Sequence, residues 1–333
     1  MMVSTSGSAH QTLARAPATT KAQPVSTWNR VLDAAEIRSP HLRSDFTRQH
    51  KLVRRYKPQH YVATRLLLPS ALVPHVVVAT AFMHHTDNLL DSGPRRGRAG
   101  AFARWNEEVR EALGMGHSTH PLIRPLLHAV ATHPCLASHV EEFLDGARTD
   151  LNFTGFATEA DYQRYIDQYS LPAFMVIANL LTPTADSADY RSACRRYIDG
   201  SQRLDFVNDL SEDLRDGRLA IPLETLDRHG VTRTDLEHVR DTAQVRALLQ
   251  DLLGQALRTL ASSREITQFV PPAHRPLVRT LIAVEERSAE AAMGKGAALL
   301  AKPARPPLPT MVALLLREYR HAWGFRRAAV RPI

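Results

Sequence analysis

The sequence predicts an all-α, single-domain helical bundle, and three observations carry that expectation. Alanine, leucine and arginine are abundant while runs of β-branched residues are few, the composition of helices rather than sheets. Apolar residues recur at helical spacing in one stretch after another, without convincing strand alternation or an internal repeat. With 333 residues, 44% hydrophobic and 23% charged, the chain can bury a sizeable core.

Residues 1–25, rich in Ser, Thr, Ala, Gln and Pro, are expected to form a disordered tail ahead of a helical domain over 26–320 and a basic tail over 321–333. Thr27–His50 reads as one or two polar helices broken at Ser39-Pro40. Arg54, Arg55 and Lys57 then form a compact cationic cluster beside Tyr56 and Tyr61. Pro69 and Pro74 precede a nearly continuous apolar helix, His75–Leu90. Asp87 and Asp91 near its end therefore need cations, hydrogen bonds or a wet cavity. His84 and His85 just before them suit structural roles, since imidazole ligands favour zinc over Mg²⁺. Gly93-Pro94 with Arg95, Arg96 and Arg98 reads as an exposed basic loop.

Phe102–Leu113, His120–Thr132 and Val140–Leu151 read as helices. Asp145 and Asp150 in the third are five residues apart, ~140° around a helix, and so do not share a face. Thr158–Asp161 carries a capping pattern that starts a helix with Tyr162, Tyr165 and Tyr169 along one stripe, either core or cavity wall. Ser187–Leu214 is predicted as one helix ending near Gly217, followed by Leu223–His229 and a fresh start after Gly230. Amphipathic helices over 235–262 and 273–294, a Pro-rich break at Ala304–Pro309 and a last helix over Thr310–Arg320 complete the chain.

Asp205, Asp209 and Asp213 recur every four residues with Glu212 beside the last. On a continuous helix they would stack on one face ~6 Å apart, a repulsive arrangement unless solvent or a cation sits among them. The pair Asp87 and Asp91 shows the same spacing some 120 residues upstream. Two such pairs facing each other across a bundle would make an oxygen-rich cage for a hard cation such as Mg²⁺.

The net charge is +8, unevenly placed. Residues 1–57 hold ten Lys/Arg against three acids and residues 295–333 eight against one, so the stretch between them is acidic. Basic ends around an acidic centre do not resemble a nucleic-acid stripe; they suit an anionic ligand over a metal-bearing core, a membrane surface, or plain solvated tails. Cys135 and Cys194 lack metal-ligand or disulfide-framework spacing and read as free thiols. No spanning-length apolar stretch and no secretion pattern is found, so a cytoplasmic protein with scope for peripheral membrane contact is expected.

With both acidic segments placed, the chain resembles the squalene/phytoene synthase family of all-α isoprenoid synthases over roughly residues 51–235. HHTDNLLD resembles its first aspartate-rich motif, FLDGARTDLNFTGFAT with YQRYI the segment between the motifs, and NDLSEDLRDGRLAIP its second motif. The resemblance implies an isoprenoid-synthase bundle around a central cavity. It implies more than one Mg²⁺ held by Asp87, Asp91, Asp209 and Asp213 on the diphosphate of an allylic prenyl substrate. Arg54, Arg55, Lys57 and Arg218 are then the diphosphate-binding cations. Tyr61, His84, Tyr165, Gln168, Leu171, Phe174 and Gln202 are the expected pocket residues.

The chain also departs from the family pattern. Ser170–Phe174, with Leu171 and Phe174, stands where small residues let a long chain pass. Asp205 replaces an asparagine, Asn208 an arginine, Asn88 the second aspartate, His84 an arginine, Gln168 a tyrosine, and Gln59-His60 a Ser-Phe pair. Ionisation machinery is kept while the second-substrate side is rewritten. The expected activity is therefore a prenyltransferase passing the group from an allylic diphosphate to a hydrophobic, aromatic acceptor such as a carbazole. Asp205, Gln168 or Tyr169 would act there as base or acceptor-positioning group. Head-to-head condensation of two diphosphates, cyclisation of one, and a non-catalytic scaffold are the competing expectations.

Overall fold

A computed structural model of the chain describes residues 27–151, 153–182 and 187–329. Helices α1 (Thr27–Ala34), α2 (Pro40–Tyr56) and α3 (Pro58–Leu67) lead into α4 (Val73–Asp91), followed by α5 (Arg95–Met115), α6 (Ile123–Thr132) and α7 (Leu136–Gly146). Next, α8 (Glu159–Tyr165) continues through a π-helical turn, Ile166–Ser170, into α9 (Leu171–Ala178). Then come α10 (Ala188–Asn208), α11 (Leu210–Arg215), α12 (Leu223–His229) and α13 (Arg233–Glu237). The chain closes with α14 (Ala243–Ser262), α15 (Ile266–Phe269), α16 (Arg275–Lys295) and α17 (Leu308–Ala329). The described residues contain no strand, only a parallel bridge between Gly155 and Leu219.

Local chemistry sets the boundaries. Proline occupies the first turn of α2, α3, α4, α9 and α16, where its missing N–H costs no helical bond. Thr158 with Asp161 and Thr232 with Asp235 form reciprocal capping boxes at the starts of α8 and α13, as their sequences predict. Helix α4 is buried along most of its length and packs against α2, α5, α6 and α9. Helix α10 lies against α14, α9 and α16, and α3 meets α16 and α17, so the N- and C-terminal halves close on each other.

Several expectations need correction. The basic residues after Gly93 are not a loop: α5 begins at Arg95, and the Arg98 guanidinium donates to the Gly93 carbonyl. The acidic triplet does not ride one helix, because α10 ends at Asn208 and the backbone leaves helical geometry at Asp209 before α11. The region read as one helix over 235–262 is split between α13 and α14. Helix α17 carries on to Ala329 through much of the stretch expected as a basic tail. The disordered tail expected over 1–25 lies outside the described residues. No helix among the described residues is long and apolar enough to cross a membrane.

A histidine cluster tests the packing of this half. His75 on α4 is buried, its Nδ1 2.8 Å from His133 Nε2, with the His128 ring edge-on beside it. Burial, then the neighbouring imidazoles, push its pKa down to about 3. The folded value lies below the unfolded one, so this stability is fully present above about pH 6.5 and is lost as pH falls towards 3, at about 1.4 kcal/mol per pH unit. His75→Gln is expected to flatten the pH dependence of unfolding by about 1 kcal/mol per unit between pH 6 and 4. Urea melts of both proteins at each pH measure it.

Candidate active site

Two cations, Lys57 and Arg218, each act on acids of both segments. Asp87 and Asp91 hang from the end of α4; Asp209 and Asp213 stand at the α10–α11 break and within α11. Arg218 Nη1 is 3.7 Å from Asp91 Oδ1, and its charge pulls the Asp213 carboxyl down against burial. Lys57 occupies the non-helical bend between α2 and α3, where Pro58 restarts the chain. Its positive charge acts on Asp87, Asp205 and Asp209 together. The two acidic segments thus share one hollow.

The electrostatics record an excess of negative charge there. Burial first, then the charges of Asp91 and Asp150, raise the Asp87 carboxyl to about 7, opposed by a hydrogen bond from the Tyr169 hydroxyl at 3.1 Å. Asp209 and Asp213 are each raised to about 6, by burial before neighbouring acids. Asp205 keeps accessible surface, yet enclosure by protein raises its carboxyl as well. Surface that is open but surrounded describes a group lining a concavity.

Aromatic side chains hold this acidic wall in place. The Tyr165 hydroxyl donates to Asp150 at 2.8 Å, and the Tyr162 hydroxyl to Asp199 at 2.9 Å. Their rings pack with Phe153, Phe156 and Phe206, so the tyrosine stripe is core with polar ends fixed to carboxylates. Arg203, buried under Tyr162, pairs with Glu159 and ties α10 to the start of α8. Backbone bonds from Leu219 to Thr154 and from Leu223 to Phe156 hold the Arg218 loop against the 153–157 segment. Gly155 makes that approach possible: a Cβ there would lie 2.5 Å from the Leu219 carbonyl oxygen.

The π-helical turn sets Tyr169, and Gly146 makes room for it. A Cβ on Gly146 would fall 1.8 Å from the Gln168 carbonyl oxygen, a backbone atom that cannot swing aside. Gly146→Ala is expected to cost about 3 kcal/mol or more in stability and to loosen the Tyr169–Asp87 bond. Chemical denaturation measures the first effect, and the rate of diphosphate release in the surviving folded protein the second.

Other predicted residues lie farther out or play different parts. Arg54 and Arg55 are exposed at the end of α2, with Arg54 beside His50 and Tyr61. Tyr61 shares a 2.6 Å hydrogen bond with His50 Nε2. His84 stacks on Tyr56 at 3.4 Å between ring centroids, and Lys57 lies 5.3 Å from the far-reaching Tyr56 ring. Gln168 is exposed and borders a groove of about 250 Å³ with Phe153, Arg164 and Tyr165. Leu171 is buried; Phe174 packs on Tyr197 at 5.0 Å beside a cavity of only about 10 Å³. The Gln202 amide oxygen accepts from the Ser170 hydroxyl at 3.2 Å.

Two groups were missed by sequence reasoning. Asp150 was set aside because it does not share a face with Asp145, and the structure agrees: Asp145 pairs outward with Arg110. Asp150 nonetheless joins the hollow, where burial raises its carboxyl and Asp91 and Arg218 act on it. Glu285 on α16 is the second; no acidic spacing announces it.

Among the described residues, no three His, Cys, Asp or Glu side chains form a ready-made metal cage. Mg²⁺ does not require one, since it keeps waters and takes ligands from phosphate. Carboxylates raised by burial before their acidic neighbours are the hard, under-neutralised oxygen donors such an ion suits, so Asp87, Asp209 and Asp213, with the Asp91 carboxylate one turn from Asp87, fit it.

Comparison with known proteins agrees with this arrangement. A family profile described as squalene/phytoene synthase matches residues 53–312. The bifunctional protein CrtB/UppS of Streptomyces coelicolor is 29% identical over 60% of this chain and 35% of its own length. Phytoene synthase 3 of Zea mays is 24% identical over 76% of this chain and 57% of its own. This chain therefore spans from about a third to just over half of those two relatives. In fold, it is similar to a ligand-bound dehydrosqualene synthase, with a TM-score of 0.76 at 19% identity over 88% of this chain and 99% of that one. Squalene synthase HpnC from Alicyclobacillus acidocaldarius gives 0.70 at 22% identity, over 81% and 99%. On the profile match across most of its length, joined to the shared helical fold, the chain belongs to the squalene/phytoene synthase family.

Proposed function

We propose that this chain is a prenyltransferase that ionises one allylic prenyl diphosphate and passes the prenyl group to a hydrophobic, aromatic acceptor carrying no diphosphate. The observation that supports it is the distribution of charge in the hollow. Lys57 and Arg218 stand among Asp87, Asp91, Asp209 and Asp213, while the wall at Asp205 adds further negative charge. One diphosphate fits the first group of residues, and a second would meet acids where the family pattern has an asparagine.

Mg²⁺ held by the four outer aspartates would supply Lewis acidity towards the leaving diphosphate. Lys57 and Arg218 would donate to its oxygens and stabilise the charge that develops as the C–O bond breaks. Tyr169 orients Asp87 through its hydrogen bond. The Phe174 and Tyr197 rings pack on each other at 5.0 Å; a hollow closed off by them would favour a short donor, and aromatic faces would stabilise an allylic cation by about 0.5–2 kcal/mol each.

Incubation with C5, C10, C15 and C20 diphosphates, with and without carbazole and other aromatics, tests this by mass spectrometry. A prenylated aromatic that disappears with EDTA is the expected product. Head-to-head condensation is the second reading, favoured by the names of relatives such as the phytoene synthase of maize and the presqualene diphosphate synthase of Rhodopseudomonas palustris. Efficient C30 or C40 product from a diphosphate alone would establish it instead, and a cyclic terpene would establish cyclisation. Peripheral membrane contact would suit such greasy molecules and the exposed Leu308, Leu316 and Trp323 of α17; co-sedimentation with anionic vesicles tests it.

A further inference from the structure

His84, Asp87, Asn88 and Asp91 follow one another along α4 at the spacing i, i+3, i+4, i+7 that lines side chains up on one helix face. Two of them are acids of the hollow. The other two carry a contact to α2. The Asn88 amide nitrogen lies 3.1 Å from His84 Nε2. The His84 imidazole in turn stacks on the Tyr56 ring, with 3.4 Å between centroids and 19° between planes. Tyr56 is the last residue of α2, and beside it the Lys57 ammonium lies 5.3 Å from the centre of the same ring, within reach of a cation–π contact. A continuous line of contacts thus runs from the acidic face of α4 through His84 and Tyr56 to Lys57.

The backbone at Lys57 is fixed from both sides. Its N–H donates to the Val53 carbonyl at 2.9 Å, closing α2, and its carbonyl accepts from the Tyr61 N–H at 2.9 Å, opening α3. The side chain, by contrast, is exposed on a long, flexible stem. Among the described residues its ammonium closes no ion pair and has the Tyr56 ring beside it, whereas Arg203, Arg264 and Arg279 each close on a carboxylate. That difference matters to a ligand. A carboxylate partner would have to be displaced by an incoming phosphate. An aromatic face steadies the charge and leaves N–H donors open to phosphate oxygens.

We infer that Tyr56 is a positioning residue for the diphosphate: braced against His84, its ring holds the Lys57 ammonium at the acidic face of α4 with donors open to the ligand. This rests on the reading that Lys57 binds the donor's diphosphate, and it is independent of what the acceptor is. Tyr56 acts on the ligand only through Lys57, and the ring does this rather than the hydroxyl.

The test is the binding of inorganic diphosphate with Mg²⁺, measured by titration calorimetry on the full chain. It compares wild type, Tyr56→Ala, Tyr56→Phe, Lys57→Met and the double variant Tyr56→Ala/Lys57→Met. Inorganic diphosphate reports on the clamp whatever prenyl chain the protein takes. Lys57→Met is expected to weaken binding about tenfold or more, the range for losing a hydrogen bond from a charged group. Tyr56→Ala should weaken it about fivefold, the scale of a cation–π contact. Tyr56→Phe keeps the ring and should recover binding to within twofold of wild type. In the Lys57→Met background, Tyr56→Ala should cost less than twofold more, because the residue it acts through is gone. Tyr56 is 44% exposed, so its truncation leaves the core packed, and melting curves check the fold of each variant. A merely structural role would weaken binding equally in both backgrounds and overturn the assignment, as would a loss below twofold in Tyr56→Ala. If Lys57→Met is impaired while Tyr56→Ala is not, this inference fails alone. If Lys57→Met binds like wild type, or wild type binds no diphosphate, the reading of Lys57 fails and takes the inference with it.

Discussion

Asp87→Asn is expected to lower diphosphate release by about 10³-fold or more while making the fold harder to melt. The loss follows from removing an ionised oxygen donor where several kcal/mol of leaving-group stabilisation would be gathered, each 1.4 kcal/mol being tenfold in rate. The stability gain follows from the sign of the pKa shift. Asp87 in the fold is raised to about 7, above its unfolded value near 4. A raised group contributes stability that is present below the unfolded pKa and is lost as pH rises through the folded one. At pH 8 the wild-type carboxylate is therefore ionised against the preference of its surroundings. Water reaches the half-buried side chain, which discounts the cost to about 1–2 kcal/mol, or a few degrees of melting temperature. Asparagine keeps an oxygen for the Tyr169 hydroxyl and drops the charge. Millimolar Mg²⁺ should raise the melting temperature of wild type and do so less for Asp87→Asn. A variant that melted lower at pH 8 would show that the acidic hollow is not strained.

Helical spacing and helix-stop chemistry made the bundle legible, and the paired aspartates made its acidic centre legible too. Both are periodic signals that survive in one dimension. What escaped depends on contacts between distant segments. Asp209 was assigned to a continuous helix because four-residue spacing assumes one, yet the helix ends one residue earlier and the carboxylates are placed by a bend. Asp150 caps the short 3-10 turn Ala147–Thr149 that leaves α7, where counting around an α-helix no longer applies. Glu285 lies in an ordinary amphipathic pattern, and only the packing of α16 on α10 gives it a neighbour worth noting. The π turn that turns Tyr169 to Asp87 follows from a glycine twenty-three positions away touching its backbone, which no local pattern encodes.

The cationic cluster shows the same limit and yields the second large effect. Arg54, Arg55 and Lys57 are equivalent by composition, since each puts a positive charge near the end of α2. The backbone separates them: the arginines finish a helix, while Lys57 stands in the bend before Pro58, with φ −126° and ψ 65°. Its ammonium lies 5.3 Å from the Tyr56 ring centroid, and Tyr56 is stacked on His84, one turn before the Asp87–Asp91 pair on the same helix. Lys57→Met is expected to reduce diphosphate release by about 10²–10³-fold, the range for deleting one donor to a developing oxyanion. It should also raise Asp87, Asp205, Asp209 and Glu285, each of which Lys57 now holds down, and so move the acid limb of the rate profile to higher pH. Arg55→Met should stay within about threefold of wild type: both side chains keep solvent exposure, but the cation that acts on Asp87, Asp205 and Asp209 is Lys57, and a helix-end charge facing only solvent is screened. Steady-state rates and pH profiles for the two variants separate a charge that acts inside the hollow from one that only decorates the surface. The reverse ranking would mean that the diphosphate lies against α2 rather than at the bend.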